Sequence, residues 1–190
     1  MSDASVIEVS LAEPARFAAI FDRHIDAIRK FVVRRLGASR SDDVVSEVFR
    51  AAFEGRSKFD LTAESALPWL YGIASNLVRR DHRGNARRLA TAKRANAHGN
   101  IVGDPLLDLA ERLDARADVR ELRKALTSLS DDERELLLLV AWEQLSPTEA
   151  AAVLGIVPET ARTRLRRARQ RVRDHLERNE PTTEVATDAH

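Results

Sequence analysis

Few side chains in this sequence could carry covalent or acid–base chemistry, and they are poorly spaced for it. There are five His and no Cys. Without cysteine there is no thiol nucleophile, no disulfide and no Cys-ligated zinc, which agrees with a cytoplasmic location. His24 lies at the edge of an apolar helical stripe, where a packed histidine is the expected role. His82 sits inside a run of arginines. The adjacent acids Asp42 and Asp43 fall at an expected helix start, where carboxylates meet the positive end of the helix dipole. No metal-ligand spacing, nucleophile–base pairing or glycine-rich phosphate loop occurs. The chain is therefore not expected to be an enzyme, and no metal or organic cofactor is expected.

Guanidinium chemistry recurs instead. Of 31 basic residues, 27 are Arg and 4 are Lys, yet the net charge is only +1. Residues 75–95 hold seven Arg/Lys against one Asp, and residues 158–178 hold eight Arg against three acids. Two separate basic stretches in a near-neutral chain read as two footprints on one polyanion. Arginine suits that task because its planar fork matches phosphates and base edges.

The second stretch lies within a helix-turn-helix pattern over 145–165. Ser146 caps, Pro147 takes the first turn and Glu149 completes a capping box. Ala150 and Ala151 are small enough for a second helix to cross closely. Gly155 stands where the chain must leave the helix with positive φ. Ile156 fills the corner, Pro158 starts the second helix, and Ala161 and Leu165 face inward. Glu159, Thr160, Arg162, Thr163 and Arg166 are left outward, as a major-groove reader requires.

The elements that must position these residues read as all-α. Gly is 7 and Pro 6 of 190 residues, too few turn formers for a sandwich or barrel. No apolar run approaches the 18 or so residues of a membrane span, and residues 1–14 carry acids but no base, unlike a signal peptide. Residues 1–13 show no period and are expected to be disordered. From Pro14 to Gly37, Phe17, Ile20, Phe21, Ile25, Ile28, Phe31, Val32 and Leu36 recur at helical steps. Ser41 is expected to cap a second helix with Val44, Val45, Val48, Phe49 and Phe53 inward. A polar segment, 57–65, follows. Pro68 opens a third helix with Trp69, Leu70, Ile73, Leu77 and Val78 on one face, and Gly72 interrupts it at a cost of about 1 kcal/mol. Gly, Asn and Ala then suggest a flexible linker over 96–115. Helical periodicity returns with Leu106, Leu109, Leu113, Val119, Leu122, Leu126 and Leu129. Ser130–Glu133 is a capping box opening a helix over 131–144 that buries Leu136–Leu139, Val140 and Trp142. The expected organisation is two small helical domains, 14–95 and 116–178, on a tether, with a disordered tail over 179–190.

Residues 68–84, PWLYGIASNLVRRDHRG, resemble the WLxxIAxNxxxDxxR segment of bacterial RNA polymerase sigma factors. Upstream, Asp43–Phe49 (DVVSEVF) is similar to that family's polymerase-binding DLVQETF segment, and the helix-turn-helix is similar to its region 4. Three motifs in this order and spacing resemble the small two-domain members, the extracytoplasmic-function (ECF) class. The resemblance implies that the first domain, region 2, docks on the β′ clamp helices of core RNA polymerase through Asp43, Glu47, Val48 and Phe49. It implies that Asn76, Arg79, Arg80 and Arg83 hold the minus-10 strand; the residue chemistry agrees, with Asn76 suited to a base edge, the arginines to phosphates and loop 57–65 to walling a pocket for an extruded base. It implies that region 4 meets the β flap and reads the minus-35 duplex through Thr160, Arg162, Thr163, Arg166 and Arg167. An anti-sigma factor is a further partner the family implies, and membrane insertion is not expected. Ser46 stands where the family commonly has Gln, and residues 72–83 lack its aromatics. The alternative from the residues alone is a stand-alone dimeric helix-turn-helix regulator.

Overall fold

The computed structural model describes residues 1–95 and 117–179, and every regular element among them is helical. The expected linker and the tail from 180 on, with Leu106, Leu109 and Leu113, lie outside the described residues. The order is α1 (Asp3–Ala12), a 3-10 turn (Pro14–Phe17), α2 (Ala18–Leu36), α3 (Ala38–Gly55), a second 3-10 turn (Arg56–Lys58) and α4 (Leu67–Ala95). From residue 117 on come α5 (Ala117–Thr127), α6 (Asp131–Ala141), α7 (Pro147–Leu154) and α8 (Pro158–Asn179).

The first expectation to be corrected is the disordered start. Residues 3–12 form a helix, capped by the Ser2 hydroxyl, which accepts from the Ser5 N–H at 3.2 Å. Its inward face is Asp3, Val6, Ile7 and Ser10, a regular helical spacing in which two of the four residues are polar. Val9 and Leu11 point outward. A hydrophobic pattern therefore averages to nothing, although Val6 and Ile7 are fully buried.

α2, α3 and α4 pack against one another around Ile28, Phe31, Val32, Val48, Leu70 and Ala74. Ser41 does not cap α3. The helix starts four residues earlier, at Ala38 after Gly37 at φ 76°, and the Ser41 hydroxyl donates to the Ala38 carbonyl at 2.9 Å. Just before α4 the Ser65 hydroxyl accepts the Leu67 N–H at 3.1 Å. In the second half both capping boxes form, Ser130 with Glu133 and Ser146 with Glu149. Gly155 leaves α7 in the left-handed region, φ 66°. α7 and α8 close over Ala150, Ala161 and Leu165, while α5 and α6 pack on α8.

The sequence leaves open how the two expected domains sit on each other, and the structure packs them together. α7 lies across α4, and a single apolar core runs from Val6 to Leu165 through both halves. Gly72 faces this crossing: a Cβ placed on it would stand 3.9 Å from the Val153 Cα. Trp142 is correspondingly not buried. α6 ends at Ala141, and the indole is 40 % exposed with the Arg34 guanidinium over its ring at 5.5 Å.

Candidate nucleic-acid and polymerase interfaces

α4 presents the first basic face. Asn76, Arg80 and Arg83 are exposed and recur at helical steps, and Arg79 is half-buried beside them. Arg83 Nε donates to the Arg79 carbonyl at 3.3 Å, so its guanidinium lies along the helix. Asp81, the acid within the run, is taken by Arg40 of α3 at 2.7 Å, which ties the two helices and leaves the arginines the dominant charge. Trp69 packs on Phe59 with ring centroids 5.1 Å apart, a core role. Tyr71 is buried against Phe31.

α8 presents the second. Arg162, Arg166 and Arg167 are exposed, and Thr160 and Thr163 are partly exposed. Arg162 pairs with Glu159, at 3.1 Å. Arg164 and Arg171 are turned back to α6, to Asp132 at 3.4 Å and Glu133 at 2.8 Å. The helix thus sorts its arginines: one row braces the fold and the other faces out. Pro147, Arg162, Leu165, Arg166, Arg169, Gln170 and Arg173 line a shallow groove of 330 Å³ along that outer row. Glu133 is buried, which raises its carboxyl pKa, but the Ser130 hydroxyl and N–H and the nearby Arg171 and Arg164 outweigh burial and hold it low.

α3 presents an acidic face. Asp43 is exposed, and Glu47 is partly exposed and held by Arg50 at 2.5 Å. The Arg50 hydrogen bond lowers the Glu47 carboxyl, helped by the Arg80 charge from α4. Val48 and Phe49 are buried, Phe49 edge-on to Phe21 at 4.8 Å. Of the four expected polymerase-facing side chains, these two therefore lie in the core beneath the acids.

The sequence reading missed the junction of the halves. Glu143, with only 3 % of its side chain exposed, accepts from Arg34 Nη2 at 2.5 Å, Tyr71 Oη at 3.0 Å and Arg35 Nη1 at 3.5 Å. Arg35, stacked on Phe31 at 3.6 Å, also donates from Nε to both Glu135 oxygens at 3.2 Å. Burial and the Glu143 charge push the Tyr71 hydroxyl upward, so it stays a donor. Gln144, the next residue, takes φ 56°, a conformation uncommon for a side chain of its kind. One signal was legible: Arg35 follows Ile28, Phe31 and Val32 on the inward stripe, where an unpaired arginine is costly.

Among the described residues there is no cluster able to hold a metal ion, and no helix is long and apolar enough to cross a membrane. Residues 20–88 match the family model for sigma-70 region 2, and residues 119–172 match that for sigma-70 region 4. The chain is 32 % identical over 150 residues to the ECF RNA polymerase sigma factor EcfG of Rhodopseudomonas palustris, covering 78 % of each chain. It is 31 % identical over 152 residues to the probable RNA polymerase sigma factor RfaY of Xanthomonas campestris; that match covers 80 % of this chain and 37 % of RfaY. Its fold is similar to that of the sigma factor RpoE of Bartonella quintana, solved with the anti-sigma factor NepR: TM-score 0.60, 22 % identity, 86 % of this chain and 98 % of that one. By both family segments, in order, and by a relative alike over most of its length, this chain belongs to the sigma-70 family, as an ECF sigma factor, a transcription initiation factor and not an enzyme.

Proposed function

We propose that the two halves divide promoter recognition between paired and parted strands. α8 enters the major groove of the minus-35 element with Thr160, Arg162, Thr163, Arg166 and Arg167. α4 holds one strand of the minus-10 element with Asn76 on a base edge and Arg79, Arg80 and Arg83 on phosphates, and loop 57–65 walls the place of an extruded base. Asp43 and Glu47 face the β′ clamp helices of core polymerase, and Val48 and Phe49 support them from below. Region 4 meets the β flap. The work is cytoplasmic and needs no covalent step: the duplex opens because the site binds an unstacked strand better than a stacked one.

The observation that carries this reading is the pair of outward guanidinium rows on two different helices, one on a recognition helix and one beside an exposed amide. The span of DNA adds a condition. Elements centred 35 and 10 nucleotides upstream lie about 25 base steps apart, roughly 85 Å at about 3.4 Å per step. Helices in contact stand about 8–10 Å apart, so two faces separated by α7 alone cannot reach both elements. The packed arrangement must open, and the tether then makes the second contact intramolecular. RpoE of B. quintana is solved with an anti-sigma factor; a partner of that kind would act here by favouring the packed form.

Asn76→Ala tests the division. With core polymerase on a cognate promoter, it is expected to reduce permanganate-reactive open complex while closed-complex affinity holds. Equal loss in both would refute the strand assignment. A palindrome bound tightly by a dimer without polymerase would favour the regulator alternative.

A further inference from the structure

Helix α1 precedes the segment matched to region 2, which begins at residue 20. It grips the 56–66 segment at both ends. At one end Arg56 Nε donates to the Ser10 carbonyl at 3.3 Å, while the same guanidinium donates to the Phe53 carbonyl at 2.6 Å and lies 3.9 Å over the Phe53 ring. At the other end Asp3 Oδ2 accepts the backbone N–H of Ala66 at 2.9 Å. Asp3 is itself fixed: Arg23 Nη1 donates to Oδ1 at 2.8 Å, His24 Nε2 lies 2.7 Å from Oδ2, and only 9 % of the side chain is exposed. Between the anchors Asp60 Oδ1 accepts from the Thr62 N–H at 2.9 Å and hydroxyl at 2.7 Å. Phe59 is buried on Trp69, while Leu61 stands 46 % exposed at the tip.

Holding α1 in place would need only apolar side chains, and Val6 and Ile7 already supply them. A buried carboxylate aimed at a loop amide does something else: it fixes the loop's position by direction and charge. A loop fixed before binding does not have to be ordered when the strand arrives. Burial raises the Asp3 carboxyl pKa, but the bonds from Ala66, Arg23 and His24 outweigh it and keep the group ionised as an acceptor.

We infer that α1 is a brace that presets loop 57–65 for the minus-10 strand, with Asp3 as its positioning residue. This rests on the assignment of that loop to the strand. The test uses full-length protein with core polymerase and compares Asp3→Leu, Asp3→Asn and the loop-tip variant Leu61→Ala. Asp3→Leu lowers discrimination among single-base minus-10 substitutions about tenfold, Asp3→Asn falls between it and the parent, and both leave polymerase affinity and minus-35 discrimination unchanged. In the free protein, hydrogen exchange speeds up for amides 60–66 and stays unchanged for amides 70–78. If Leu61→Ala shifts minus-10 discrimination and Asp3→Leu does not, the loop assignment stands and the brace is overturned. If neither shifts it, the loop assignment fails and the brace falls with it. Loss of protection across 70–78 as well makes Asp3 a general stability residue and overturns the brace.

Discussion

Among the described residues Arg162 is tied to Glu159, in a pair with both side chains more than half exposed, 57 % and 77 %. Such a pair contributes little and frees the guanidinium at little cost. Arg162→Ala should therefore relax minus-35 choice by about 1–3 kcal/mol, read as lost preference between promoters, with polymerase affinity intact. Unchanged selectivity would remove Arg162 from the recognition set. The outward residues of α8 were legible in the sequence because a capping box, a left-handed glycine and two inward residues fix which face is free. Val48 and Phe49 were not, because a motif match says which segment meets a partner and not which side chains. The structure puts both in the core and leaves Asp43 and Glu47 on the surface. Glu143 and Asp3 were illegible for a related reason: a buried acid carries no periodic signature, and its donors lie far away in the chain.

At the scale of the element, the two helix starts declared by a capping box formed as expected, while the one inferred from Ser41 alone did not. α1 was hidden because its inward face is half polar. Gly72 looked like a flaw in α4 and instead faces the crossing with α7. The 3.9 Å from a would-be Cβ to Val153 is ordinary contact, so Gly72→Ala should fit. It should raise Tm, since alanine favours a helix by about 1 kcal/mol over glycine. Gly72→Ile would drive the crossing apart, and small-angle scattering would show a larger radius of gyration; an unchanged radius would count against this crossing. Acid acts on two elements at once. The Asp3 and Glu133 carboxyls sit below their ordinary values of 3.8 and 4.5. Their contribution is complete above those values and is lost as pH falls through the lower folded ones. Asp3→Asn and Glu133→Gln should each flatten the acid limb of a pH–stability curve, measured by denaturant titration. A limb as steep as the parent's in both variants would contradict the assignment.

Across the whole molecule, the composition and motif order gave an all-helical chain with two DNA-facing parts, but the packing of those parts on each other was beyond them. That packing depends on Glu143 meeting Arg34, Arg35 and Tyr71, and it places Gly72 at the crossing with α7. Removing one member of a buried charge cluster costs about 3–5 kcal/mol, because the others lose their counter-charge. Here that cost can be relieved by separating the halves. Glu143→Ala should expand the free protein in scattering and speed its loading onto core polymerase. A compact variant that loads no faster would show that the cluster does not hold the packed form.

The central claim is that this chain tells core polymerase where to begin. Run-off transcription on genomic DNA, with start sites mapped in the presence and absence of the purified protein, tests it most directly. The account predicts a set of starts that appears only with the protein and shares one minus-35 and one minus-10 sequence. The same starts with and without it, or no association with the polymerase, would contradict it.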